Sequence, residues 1–114
     1  MNLVLAVRAG AYSFPAANPR HEHEWRDWKE ASLSAETILI PGVIDTVSPI
    51  VEHPRLVADR IIRFAEIVGA ENVIAGTDCG FGTFVGMSTV APGVAFAKLE
   101  ALAEGAQLVS KELF

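Results

Sequence analysis

The chain has 114 residues, a formal net charge of −5 and a hydrophobic fraction of 51%. Length and a mean hydropathy of +0.34 fit one domain with a buried core and argue against disorder. Lys and Arg are scattered, so a nucleic-acid partner is not expected. No apolar run approaches the roughly 18–20 residues of a membrane span, and Leu3 to Val7 is too short and lacks the flanks of a signal peptide. The single cysteine cannot form an internal disulfide, which fits a reducing cytosol and predicts a cytoplasmic protein.

Residues 1–10 read either as a strand or as an irregular leader. Ala11 to Ala16 (AYSFPA) reads as a short strand ending at Pro15, which has no N–H to donate. Asn18-Pro19 signals a turn. His21 to Lys29 reads as a helix with Trp25 and Trp28 on one face, more in keeping with core than with a binding platform. Thr37 to Ile44 (TILIPGVI) is an apolar, β-branched run bent at Pro41-Gly42, which predicts a buried strand. A helix starts at Pro54 and carries Val57, Ile61, Phe64, Ala65 and Val68 as one apolar stripe, and Gly69 ends it. Asn72 to Gly76 reads as a third strand, followed by the polar turn Thr77 to Gly80. The last helix starts near Pro92, with Ala95, Leu99, Leu102, Ala106 and Val109 as its expected buried face.

Strands separated by helical crossovers pair in parallel, so the chain is α/β with about three βα units. In such folds functional groups gather beyond the C-terminal ends of the strands. Three polar clusters occupy that position: Asn18 to His23, Asp45 to Ser48, and Thr77 to Cys79. Cys79 can be read as a thiolate metal ligand or as a small buried cysteine. His21 and His23 form an H-x-H pair, which can bind metal or start a solvated helix. Asp45 either hydrogen-bonds an amine or ring of a substrate or caps its loop, and Asp78 is similar.

The segments NPRHEHEW, LIPGVID with VEHPRLVADRI, and ENVIAGTDCGFGTF resemble the C-terminal catalytic barrel of cobalamin-independent methionine synthase. The resemblance is closer to the shorter methionine-synthase-like proteins, a group that includes the epoxyalkane:coenzyme M transferases, and it covers roughly Ala11 to Gly105. It implies the following. Residues 11–114 form the C-terminal portion of a (β/α)8 TIM-type barrel, about its last three βα units. The family binds one zinc, which holds a homocysteine-like thiol as its thiolate while the sulfur takes a methyl group from a methylated folate. Cys79 matches the family's last cysteine ligand, and Asn18, Asp45 and Asp78 become candidate substrate contacts.

The departures bear on activity. The family's H-x-C ligand pair on an earlier strand has no counterpart in this sequence. Its glutamate ligand aligns with Pro15, which cannot bind metal, and its proton-donating histidine aligns with Val47. A TIM barrel typically needs about 250 residues and eight units. The expectation is therefore a zinc-dependent methyltransferase fragment with an incomplete ligand set. It would be inactive alone, needing a complementing polypeptide, or would persist as a self-associating, non-catalytic remnant. Coenzyme-M-type thiol alkylation is the alternative chemistry.

Overall fold

A computed structural model describes residues 10–31, 33–78 and 91–114. The expected leader lies almost wholly outside the described residues, and so does Cys79. Among the described residues, strand β1 (Ala11–Phe14) leads through a 3-10 turn (Glu22–Glu24) into helix α1 (Trp25–Glu30). Strand β2 (Ile38–Ile44), helix α2 (Pro54–Val68), strand β3 (Gly76–Thr77) and helix α3 (Pro92–Leu113) follow.

The described strands form one parallel sheet in the order β1-β2-β3. Ala11 pairs with Ile38 and Phe14 with Pro41, while Gly42 pairs with Gly76 and Ile44 with Thr77. Parallel α/β architecture is thus what the sequence predicted, and every strand of the sheet ends on the same side. The third strand needs correction. Residues 70–72 form a 3-10 turn, Val73 makes an isolated bridge to Leu39, and regular pairing resumes only at Gly76. Pro41 brings no N–H to the ladder, and the register shifts between Gly42 and Ile44, so β3 is short.

Helix α2 follows its sequence signals. His53 Nδ1 accepts a hydrogen bond from the Arg55 amide at 3.0 Å, Pro54 fills the first turn, and Gly69 closes the helix at φ 92°. That positive φ is a region L side chains rarely adopt. Val57, Ile61, Phe64 and Ala65 are buried as the stripe predicted. Val43, Ile44, Val57, Ile61 and Val109 make one core cluster; Ala16, Trp28, Leu39 and Phe64 make a second. Phe14 stacks on Trp28 with centroids 4.5 Å apart and meets Phe64 edge-on at 5.5 Å. Trp28 is core, as expected. Trp25 is only half-buried, and its ring lies under the cations of Arg26, Lys29 and Arg63.

Helix α3 buries Val109 as expected, but the rest of its inward face differs from the expected one. Leu99 is 38% exposed, whereas Lys98, Ala101, Gly105 and Val109 are buried. Leu102 and Ala106 pack against the core only in part. The reason is close approach: a Cβ on Gly105 would lie 2.4 Å from Val57 Cγ1 and 2.9 Å from the Pro54 carbonyl oxygen. α3 therefore docks on α2 through its smallest residues, and its bulkier apolar side chains are left at the edges.

At the far end of this interface Arg55 pairs with Asp59 and Glu112. The hydrogen bond from Arg55 holds the Glu112 carboxylate below the usual glutamate value, against a smaller opposing push from desolvation. A lowered folded-state pKa gives stability that is present above the unfolded value, about 4.3, and lost as pH falls through the folded value. Both side chains are exposed, so solvent and salt screen the pair. Glu112→Gln should thus leave the thermal midpoint at neutral pH and about 0.5 M salt unchanged. Any loss should appear only at low salt, and should fade as pH falls below about 4.3 and through the lowered folded value.

Candidate functional site

Parallel pairing carries the segments after β1, β2 and β3 to one end of the sheet. A pocket of about 590 Å³ opens there, and Asn18, His21, Asp45, Val47 and Asp78 are among the residues that line it. Three loops distant in sequence thus share one mouth, as the topology predicted. The three candidate substrate contacts meet in it.

Asp78 is the joint between the loops. Its Oδ1 accepts the Ala16 and Ala17 amides at 2.8 and 2.9 Å, and its Oδ2 accepts Asn18 Nδ2 at 2.9 Å. Its own amide donates to the Ile44 carbonyl at 3.1 Å. It is 9% exposed. A buried carboxylate is stable where several donors converge on it, and here those donors come from the loop after β1. The approach requires glycine at position 42, because a Cβ there would sit 2.3 Å from Asp78 Oδ1 and 2.6 Å from Asp78 Cα.

Asn18 is committed on both sides. While Nδ2 binds Asp78, Oδ1 accepts the Arg20 and His21 amides at 3.0 and 3.2 Å. Asp45 is freer: Oδ1 accepts the Val47 amide at 2.9 Å, and Oδ2 makes no hydrogen bond among the described residues. It is the carboxylate most available to a ligand. The H-x-H pair divides. His21 lines the pocket with Nδ1 2.9 Å from Glu24 Oε1, while His23 is exposed. Residues two apart at a helix start do not share a face.

Pro15 and Val47, which the sequence resemblance aligns with a zinc-ligating glutamate and a proton-donating histidine, line the same mouth. Neither side chain can do that chemistry. Among the described residues no three His, Cys, Asp or Glu side chains gather in a metal-holding arrangement. A tetrahedral zinc set is therefore not supplied by the described residues, and the proposed ligand Cys79 lies outside them.

Sequence reasoning passed over a buried ionic cluster just behind the mouth. Lys98 of α3 is 0% exposed and its Nζ lies 2.7 Å from Glu52 Oε1. The other oxygen of Glu52 accepts the Asp45 amide at 2.7 Å. Arg60 of α2 donates to Glu22 at 2.9 Å and to the Val43 carbonyl at 3.1 Å, and approaches Glu52 at 3.6 Å. The available signal was a lysine three, seven and eleven residues before Ala101, Gly105 and Val109. A charge on the small-residue stripe of an otherwise apolar helix needs a buried partner.

No protein-family profile matches the chain. Over 72 residues it is 42% identical to the 2-hydroxypropyl-CoM lyase of Xanthobacter autotrophicus (strain Py2), a stretch covering 63% of this chain and 18% of that protein. Its structure superimposes on a B12-independent methionine synthase from Shewanella sp. W3-18-1, solved in complex with selenomethionine, with a TM-score of 0.73. The resemblance to the methionine-synthase-like barrel group holds. The structural match covers 97% of this chain and 29% of the synthase at 24% identity, so it carries the fold: a portion of a TIM-type barrel. The chain thus spans less than a third of either relative's length. Of cellular location the described residues say one thing: none of their helices is long and apolar enough to cross a membrane.

Proposed function

We propose that the chain carries part of a thiol-alkylating catalytic site of the methionine-synthase type. The carrying observation is the pocket that collects Asn18, Asp45 and Asp78 from three loops at the C-terminal end of a parallel sheet. In this reading the acceptor is a homocysteine-like thiol and the donor a methylated folate, as the resemblance implies. Asp45 offers its free oxygen to a substrate N–H, while Asn18 and Asp78 act chiefly by holding the walls. Zinc, when bound, would supply the positive charge that keeps the substrate sulfur a thiolate at neutral pH. Cys79 is the residue of this chain proposed to ligate it.

A second acceptor is favoured by one observation. The 42% identity is to a 2-hydroxypropyl-CoM lyase, which supports a coenzyme-M-type thiol. In either case the polypeptide alone is proposed to lack turnover, acting with a complementing chain or persisting as a self-associating remnant in the cytoplasm.

Purified protein should hold well below one zinc per chain, and Cys79→Ser should remove what is bound. Near-stoichiometric zinc would count against the remnant reading, and unchanged zinc in Cys79→Ser would refute the ligand assignment. Methyl-transfer assays with homocysteine and with coenzyme M then choose the acceptor, and turnover by the chain alone would overturn the proposed dependence on a second polypeptide.

A further inference from the structure

The wall of the pocket that carries Asp45 is a tight loop with internal braces. Asp45 Oδ1 accepts the Val47 amide at 2.9 Å, and Ser48 Oγ accepts the Ile50 amide at 3.1 Å. Both braces lie on exposed backbone, where water competes for the same groups. What fixes the loop to the body of the protein lies at its two ends. At one end the Asp45 amide donates to Glu52 Oε2 at 2.7 Å; at the other the Ile50 carbonyl accepts from Lys98 Nζ. Glu52 and Lys98 are themselves joined at 2.7 Å, with Lys98 0% and Glu52 8% exposed.

We propose that the Glu52–Lys98 ion pair is a positioning device for the pocket, in which Lys98 of α3 holds the Ile50 end of the Asp45–Ile50 wall directly and the Asp45 end through Glu52, and so fixes the Asp45 carboxylate over the mouth. Lys98 and Glu52 are positioning residues that do not line the pocket. The physical case rests on cost. A buried lysine and a buried glutamate are expensive to desolvate, and apolar side chains would serve packing as well or better. The geometry gives the pair a task that apolar residues could not perform. One partner supplies an acceptor for a loop N–H, and the other a donor for a loop C=O, five residues apart along the chain at positions 45 and 50. Arg60 does not need the pair, since it keeps Glu22 and the Val43 carbonyl. The proposal concerns the wall itself and holds whichever thiol or donor the pocket takes.

The test is amide hydrogen exchange on the full chain, read residue by residue by NMR across 45–51 and 57–66. Glu52→Leu/Lys98→Met replaces both charges by apolar groups of similar length. It should keep the exchange of α2 at the wild-type rate while the loop exchanges about tenfold faster. Glu52→Gln/Lys98→Met returns an acceptor to the Asp45 amide but not the lysine ammonium that reaches the Ile50 carbonyl. It should restore protection at Asp45 and leave the Ile50 end fast, a split that a purely structural role would not produce. Loop exchange unchanged in a folded double variant would overturn the proposal. So would loop and α2 accelerating together, or a Glu52→Gln/Lys98→Met variant indistinguishable from Glu52→Leu/Lys98→Met. Should the leucine variant not fold, the glutamine variant carries the test at the Ile50 end.

Discussion

Lys98→Ala should lower the unfolding free energy by about 3–5 kcal/mol, measured as a shift of the urea midpoint at constant slope. The lysine is 0% exposed and its ammonium is held by Glu52 and the Ile50 carbonyl. Removing it leaves Glu52, 8% exposed, as a buried carboxylate with its nearest cation gone and the Asp45 amide at 2.7 Å and Arg60 at 3.6 Å to compensate. It also removes a stem packed in the α3 interface, which adds a cavity cost. The loss is a large share of the roughly 5–15 kcal/mol that a domain commands. Adding Glu52→Gln to Lys98→Ala should recover part of it, because the uncompensated charge disappears. A double variant no more stable than the single one would mean that the cost is packing alone. This measurement separates the stability of the pair from its effect on the loop wall, since the two readouts are independent.

Gly42→Ala should be nearly as damaging, at roughly 3–5 kcal/mol. The added Cβ would lie 2.3 Å from Asp78 Oδ1, 2.6 Å from its Cα and 2.8 Å from its amide nitrogen. Two of those atoms are backbone, so relief requires β2 and the residue after β3 to separate. Overpacking of this kind costs about 1–3 kcal/mol. Separation also withdraws Asp78 from the Ala16 and Ala17 amides, leaving donors in a buried environment at about 1–3 kcal/mol each. Gly93→Ala is the control. Nothing lies within 4 Å of a Cβ at that position near the start of α3, so it should be neutral or slightly stabilising. Equal midpoints for wild type and Gly42→Ala would show that Asp78 does not press against β2 as described.

Both predictions concern residues whose importance differs in how it could be read. Gly42 is visible in the sequence only as a bend after Pro41, and Asp78 only as a polar residue at a strand end. Their contact joins positions 36 residues apart, counted from 42 to 78, and local patterning carries no information about it. Lys98 is worse placed for sequence reading. Apolar periodicity on α3 has several near-equivalent solutions, because alanine, leucine and valine occur nearly all around the helix. The stripe through Leu99 and Leu102 satisfies a hydrophobic count. The actual stripe through Lys98, Ala101, Gly105 and Val109 satisfies a distance, the closest approach of α3 to Val57.

The sequence by itself determined what local physics can encode. Pro54 and Gly69 bound α2, its apolar stripe selects the face it buries, and strands alternating with helices make the sheet parallel. From that topology alone it follows that the polar segments after each strand share one mouth, and the residue patterns there carry the family resemblance. Only the tertiary structure decided which polar groups are spent on one another. Asp78 satisfies the buried Ala16 and Ala17 amides and Asn18, Asp45 keeps one oxygen without a hydrogen bond among the described residues, and Glu52 finds its cation on a helix 46 residues away. The reason is that hydrogen bonds and ion pairs act over a few ångströms in space and are indifferent to separation along the chain.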